Sequence, residues 1–359
     1  LLVIAGHWLP ETNWLNRITG GNTGYIGVTV FFVLSGFLIT CILLNERTTA
    51  EASGIPKGAV VKNFFIRRAL RIFPVYYLTI FGLLFFQRYT GTHIQRDFIY
   101  YLTYTANISI FKNQQWDGMV AHLWSLSVEE QFYLLWPWLM LFCRKAFLQT
   151  IVLLFIGIGI ASSYFFSSFE IDTLTTSCFD AFGLGALLAL QFVYRPDAVG
   201  LFYKRARMAG FIGLALFCFS NITSISVYLP LRTQIACIAL WAITYIVSQR
   251  HTHNNIQRLL CNNYLVGLGR ISYGIYLFHL PLFYVTSDVL GRLFVRFLTL
   301  PHPLYMPLLL TGSFVLLILL SLLSWQGIEK PFLKLKRYFK LNKKAVVPKN
   351  SQPIRPLSM

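Results

Sequence analysis

Tyr25-Ile26-Gly27-Val28-Thr29-Val30-Phe31-Phe32-Val33-Leu34-Ser35-Gly36-Phe37-Leu38-Ile39-Thr40-Cys41-Ile42-Leu43-Leu44 is a run of 20 residues without Asp, Glu, Lys, Arg or His. At 1.5 Å per residue such a run, coiled as a helix, covers the roughly 30 Å hydrocarbon core of a bilayer. Comparable runs occupy 72–88, 122–142, 150–167, 177–193, 208–226, 233–249, 267–289 and 304–327, and a shorter one covers 1–10. These predict an all-α, polytopic membrane bundle of about ten transmembrane helices, the first truncated because its apolar run is too short to span. Composition agrees: the 359 residues are 56% hydrophobic and 12% charged, whereas a soluble domain carries about 25% charged residues. An ordinary cytosolic enzyme is excluded. The aromatic stretch 98–111 is too short to cross and is expected at the interface or folded back. No linker or repeat divides the chain, so the reading is one membrane domain over 1–332 followed by a basic tail over 333–359.

Lys and Arg outnumber Asp and Glu by 31 to 13, a formal charge of +18 that in a soluble chain would point to nucleic acid. Its distribution points elsewhere. Of the basic residues, 24 lie in 45–71, 143–149, 194–207, 250–270 and 328–359, and seven (Arg17, Arg88, Arg96, Lys112, Arg232, Arg292, Arg296) lie in the alternating gaps. Basic loops stay on the cytoplasmic side, so both termini are expected there, with an even number of spans and no nucleic-acid partner. The opening Leu1-Leu2-Val3-Ile4-Ala5-Gly6 lacks the basic region of a cleavable signal peptide. The six cysteines, Cys41, Cys143, Cys178, Cys218, Cys237 and Cys261, show no metal-ligand spacing and read as core residues.

Ionisable side chains inside apolar spans cost about 2.5–3.5 kcal/mol each on insertion scales, so those present are candidates for function. They are His7 in the first run, Glu129 and Glu130 in the fourth, Asp180 at the start of the sixth and His279 in the ninth. A helix over 122–136 brings His122, Ser125, Glu129, Tyr133 and Trp136 to one face, with Trp124 beside them; Ser272, Tyr276 and His279 repeat the pattern at i, i+4 and i+7. Two polar stripes and a lone histidine outline a buried aqueous or substrate cavity. Plainer readings stand beside this one. His7 and His279 can be packed imidazoles bonded to a carbonyl or hydroxyl, Asp180 an interfacial cap after Thr176-Ser177, and Glu130, on another face, a headgroup-exposed carboxylate. Glu129 is the stronger candidate, because burying a carboxylate costs more than burying a neutral imidazole.

At the start of the third run, Arg68 and Arg71 share a helical face. They can clamp a polyanion through bidentate guanidinium pairing or anchor the helix on anionic lipid. Other signals are weak. Ser35-Gly36 lacks the upstream glycine of a nucleophile elbow. His251-Thr252-His253 has no acidic or Cys partner, and no metal is expected there or elsewhere. Gly267-Leu268-Gly269 follows no strand, and there is no phosphate-binding loop of the Walker type.

Five segments together resemble acyltransferase family 3, the integral membrane proteins that O-acylate cell-surface glycans. They are Gly27-Val28-Thr29-Val30-Phe31-Phe32-Val33-Leu34-Ser35-Gly36-Phe37-Leu38-Ile39, with Thr29 where the family often has Asp; Arg67-Arg68-Ala69-Leu70-Arg71-Ile72-Phe73-Pro74; His122-Leu123-Trp124-Ser125-Leu126-Ser127-Val128-Glu129-Glu130-Gln131-Phe132-Tyr133; Leu268-Gly269-Arg270-Ile271-Ser272-Tyr273-Gly274-Ile275-Tyr276-Leu277-Phe278-His279-Leu280-Pro281; and Ile328-Glu329-Lys330-Pro331-Phe332. The family's first helix carries an Arg, ten intervening residues and a His; His7 matches the His, and the Arg would precede residue 1.

The resemblance implies a bacterial-type inner-membrane O-acetyltransferase. It would take an acetyl group from cytoplasmic acetyl-CoA, with Arg68 and Arg71 on the coenzyme phosphates, and pass it to a glycan such as lipopolysaccharide O-antigen, exopolysaccharide or a lipid-linked glycan. His7 would act as general base, oriented by Glu129, or as the carrier of a transient acyl group. Some family members carry an esterase-like domain after the membrane region; here a basic tail follows Phe332. Acceptor choice is therefore expected in the outward loops 11–24, 88–121 and 290–303, where Trp14 and Trp116 can stack on sugars. A transporter moving a glycan or acyl group without bond formation is the competing class, and matched halves with broken helices would favour it.

Overall fold

The computed structural model describes residues 1–339 apart from 91, 93, 117, 166–170, 224–227, 250–254 and 294–301. All regular structure among these residues is helical, as expected where apolar runs must satisfy their backbone groups within each segment. Ten helices form the frame: α1 (Leu2–Trp8), α2 (Thr23–Ser53), α3 (Lys57–Phe85), α4 (Leu123–Phe142), α5 (Leu148–Phe165), α6 (Phe179–Tyr194), α7 (Val199–Thr223), α8 (Leu231–Ser248), α9 (Ser272–Leu293) and α10 (His302–Ser324). Each falls on one of the ten apolar runs. A π-helical turn, Trp325–Glu329, joins α10 to α11 (Lys330–Leu335).

Six described stretches are long and apolar enough to cross a membrane: Thr23–Ser53, Lys57–Phe85, Lys145–Phe165, Pro196–Thr223, Leu231–Ser248 and Tyr305–Phe339. The apolar α6 is shorter, at 16 residues. Helices α4 and α9 are long enough, at 20 and 22 residues, but Glu129, Glu130 and Gln131 in the one and His279, Asp288 and Arg292 in the other hold their hydropathy down. The two helices richest in candidate chemistry are thus the least lipid-like of the long ones.

Helix α2 is the hub, packing against α1, α3, α4, α6 and α8. Its crossing with α6 is backbone to backbone: a Cβ on Gly36 would lie 2.1 Å from the carbonyl oxygen of Phe182, and one on Gly185 2.0 Å from that of Val33. Small residues allow this approach where lipid supplies no hydrophobic drive between helices. Around the crossing, the Phe182 ring stacks on Phe132 at 4.1 Å and tilts against Phe32 at 4.7 Å. On the other side, α1 lies between α2 and α9. A Cβ on Gly6 would meet the backbone nitrogen of Gly24 at 2.4 Å, and Trp8 stacks on Phe283 with ring centroids 4.9 Å apart.

Several helices outrun their apolar cores. Helix α2 continues to Ser53 because Arg47, although buried, donates to Glu51 one turn on at 2.9 Å and to the Met140 carbonyl at 2.7 Å; it stops at Gly54, whose φ is 66°. Helix α3 begins at Lys57, well before residue 72, because Val60, Val61 and Phe64 bury one side while Lys62 stays exposed. The stretch 98–111 forms two short helices, Phe98–Leu102 and Ala106–Asn113, separated at Tyr104 with φ 54°. Neither is long enough to span.

At Gly185, a Val side chain cannot fit without parting α2 from α6. Gly185→Val is expected to lower the melting temperature in detergent through an overpacking cost of about 1–3 kcal/mol or more, whereas Gly82→Val, with nothing within 4 Å of its Cβ position, leaves it near the parent value.

Candidate active site

Three imidazoles gather where α1, α4 and α9 meet. His7 Nδ1 and His279 Nε2 are 2.9 Å apart in a hydrogen bond, and their rings stack with centroids 5.1 Å apart. His7 is exposed, while His279 is fully buried. The second ring nitrogen of His279, Nδ1, donates to the Tyr276 carbonyl at 2.6 Å, and the Trp8 indole donates to the His279 carbonyl at 3.1 Å. His122, immediately before α4, sets its ring edge-on to His279 at 4.7 Å and donates from Nε2 to the Leu277 carbonyl at 3.2 Å. The Tyr276 hydroxyl donates to the His122 carbonyl and meets Ser125 Oγ, both at 2.5 Å. Among the described residues, no group of three His, Cys, Asp or Glu side chains is arranged to hold a metal ion.

Glu129 lies seven residues along the same face of α4, about 10 Å of helix rise from His122. It is buried, and the hydroxyls of Ser35 and Tyr133 both donate to its Oε1. Those two hydroxyls are 2.9 Å apart. Arg68 lays its guanidinium over the Tyr133 ring at 4.4 Å, and both Arg68 and Arg71 act electrostatically on Glu129. Arg67 is paired with Glu46 on α2. Glu329, buried in the π turn and accepting from Ser324 Oγ at 3.3 Å, acts on Arg71, and Lys336 feels the charges of Arg67, Arg68 and Arg71.

The acyltransferase domain model of family 3 matches residues 1–325. The chain belongs to this acyltransferase family. Over 338 residues it is 29% identical to Peptidoglycan O-acetyltransferase OatA of Listeria monocytogenes, covering 87% of this chain and 51% of that protein. Over 356 residues it is 28% identical to a Staphylococcus aureus protein named "Putative O-acetyltransferase", covering 87% and 53%. Over 136 residues it is 37% identical to "Putative peptidoglycan O-acetyltransferase YrhL" of Bacillus subtilis, covering 35% and 20%. The chain thus spans about half the length of the relatives it matches most fully. No solved structure matches.

The family's segments converge on α3: Arg68 and Arg71 face Glu129 of the α4 segment and Glu329 of the last one, and Tyr273 of the α9 segment donates to the Ile72 carbonyl at 2.8 Å. The expected polar residues therefore divide into two groups along α4. His7, Ser125, Tyr276 and His279 form one, and Glu129, Tyr133, Arg68 and Arg71 the other. Glu129 hydrogen-bonds Ser35 and Tyr133, whereas the hydrogen-bond partner of His7 is His279. Trp124 is buried, edge-on to Phe32 at 6.1 Å and to Trp116 at 6.3 Å.

Two expected members lie elsewhere. Ser272 is exposed and donates to the Gly269 carbonyl at 2.8 Å, because the inward face of α9 begins at Tyr273. Asp180 is fully buried but belongs to a clasp between α6 and α8: Arg232 Nε donates to its Oδ1 at 3.0 Å and Thr233 to its Oδ2 at 2.5 Å. Arg232 is accordingly no loop charge; it is 1% exposed and also pairs with Asp172 at 2.9 Å. Nor is Glu130 a headgroup carboxylate, since its Oε1 is buried. A cavity of about 430 Å3 is lined by Trp325, Gln326, Lys330, Pro331 and Lys334, and none of the imidazoles borders it. His251 and His253 lie outside the described residues, as does most of the loop 290–303; Trp14 and Trp116 are exposed.

Reasoning on the sequence missed Ser35, Trp8, Glu329 and Lys336. Nothing in an apolar run marks one serine as the partner of a carboxylate 94 positions away. The buried clasp generates its own test. Arg232→Ala strands the buried Asp180 carboxylate and is expected to destabilise the protein by about 3–5 kcal/mol in thermal or denaturant unfolding, whereas Arg292→Ala, which removes the exposed pair with Asp288, changes it by no more than about 1 kcal/mol.

Proposed function

We propose that the chain is a membrane O-acetyltransferase that moves an acetyl group from cytoplasmic acetyl-CoA to a hydroxyl of a cell-surface glycan. The observation that carries this reading is the exposed His7 imidazole, backed by a buried His279, within a bundle of the acyltransferase family. A neutral imidazole has a lone pair that can take the proton of an alcohol. His7 accepts the proton of the acceptor hydroxyl while its oxygen attacks the thioester carbonyl; the carbon–sulfur bond breaks, and the departing thiolate takes up a proton.

Arg68 and Arg71, with Lys336 close to both, supply the positive charge for the coenzyme phosphates. The excess of Lys and Arg in alternate loops supports a reading in which this end of α3 and both termini face the cytoplasm across a bacterial-type plasma membrane. Membrane lipid surrounds the bundle. For the acceptor, the relatives' names carry peptidoglycan and favour it over the O-antigen, exopolysaccharide or lipid-linked glycan expected from the family resemblance.

Transfer of labelled acetyl from acetyl-CoA to envelope glycan is the direct test, using membranes that contain the full-length protein. His7→Ala at matched expression is expected to lower labelling by about 10²–10⁴-fold, the usual worth of a positioned acid–base group. Arg71→Gln is expected to raise KM for acetyl-CoA more than it lowers kcat. Muramidase release of the label identifies peptidoglycan; label retained on lipid-linked glycan identifies the other acceptor class. Full labelling by His7→Ala overturns the role of His7, and no labelling by the parent overturns the donor.

A further inference from the structure

The bonds around His279 leave little freedom for protons. A carbonyl oxygen only accepts, so the 2.6 Å contact between His279 Nδ1 and the Tyr276 carbonyl places a proton on Nδ1. A neutral imidazole has one such proton, which leaves a lone pair on His279 Nε2. His7 Nδ1 lies 2.9 Å from that lone pair and must therefore be the donor. Neutral His7 then keeps its own lone pair on Nε2. No described residue hydrogen-bonds that atom, and the His7 side chain is exposed.

The alternative, a doubly protonated His279, would put a cation in a fully buried site where no described carboxylate hydrogen-bonds it, a costly arrangement in an apolar interior. The ring of His279 is also held in place. Trp8 clamps its carbonyl at 3.1 Å, and His122, with its Nε2 proton committed to the Leu277 carbonyl at 3.2 Å, packs edge-on against it.

We infer that His279 is a positioning residue that fixes the proton of His7 on Nδ1 and so makes His7 Nε2 the atom that takes the proton of the acceptor hydroxyl. This rests on the acyl-transfer reading above and extends it to a named atom. In the step, the hydroxyl proton moves to His7 Nε2 as the hydroxyl oxygen bonds to the acyl carbon. The carbon–sulfur electron pair leaves with sulfur, and the proton on Nε2 passes to the thiolate. The transient imidazolium is stabilised through its Nδ1–H by the His279 lone pair, a charge-assisted hydrogen bond about twice as strong as a neutral one. The chain Tyr276 carbonyl, His279, His7 thus orients and stabilises without a carboxylate.

The test combines kinetics with nitrogen chemical shifts. In His279→Gln, the amide oxygen can accept from His7 and the amide nitrogen can donate to Tyr276, so this variant is expected to retain most of the parent kcat. His279→Leu offers neither group and is expected to lower kcat by about 10²-fold or more, as when a catalytic histidine is left in the wrong tautomer, while KM for acetyl-CoA stays within about twofold. In protein labelled with 15N-histidine, with the His7 signals assigned by their loss in His7→Asn, the parent and the Gln variant are expected to show a protonated Nδ1 and an unprotonated Nε2. The inference is overturned if His7 in the parent carries its proton on Nε2, or if His279→Leu keeps the parent kcat. Should the Leu variant fail to fold, the parent spectrum and the Gln variant still decide. Failure of the acyl-transfer reading looks different: the parent itself would transfer no acetyl group, whatever the His7 tautomer.

Discussion

An apolar bundle in lipid has no water with which to satisfy a stray polar group, and the rest of the architecture follows from that constraint. Many polar side chains deep in the structure are joined to a partner on another helix. Ser35 and Glu129 tie α2 to α4, Trp136 donates to Thr40 across the same pair at 2.8 Å, Asp180 and Arg232 tie α6 to α8, and His7 and His279 tie α1 to α9. Single interhelical bonds in membranes average about 0.6 kcal/mol, so no one of them holds the fold. Together with the close backbone crossings they fix which faces meet, and the candidate site is one result of that arrangement.

The site has two chemically distinct ends along one face of α4. Around His122 the groups are neutral and aromatic, and around Glu129 they are charged. Charge is concentrated where Arg68, Arg71, Glu129 and Glu329 offset one another, which lowers the cost of keeping each in a partly buried place. The imidazole end has no such compensation, and the groups bonded to its histidines are carbonyls, an indole and another imidazole.

The helical bundle was legible in the residues because a run without charge has one stable arrangement in lipid. The inward face of α4 was legible for the same reason: His122, Ser125, Glu129, Tyr133 and Trp136 are all buried, as their 3.6-residue spacing requires. Spacing does not specify the angle at which a face meets its neighbour. On α9 it included Ser272, which is exposed, and passed over Tyr273, which reaches α3. Contacts between distant segments were not legible at all. That His7 meets His279, 272 positions away, follows from Gly6 lying against Gly24 and Trp8 against Phe283, a matter of three-dimensional packing that no local period encodes.

The π turn at Trp325–Glu329 makes the site sensitive to chain length as well as to chemistry. A π turn accommodates one residue more than the α-helix around it, and each residue advances the helix by about 100°. Removing a single residue there would let α10 run on as α-helix into α11, with the one bond that Pro331 cannot donate left unmade. It would also swing Glu329 about a quarter turn away from Arg71. The same helix, one residue shorter and more regular, would present a different face to the arginines, so an indel that leaves the bundle folded would still take the charged end of the site apart.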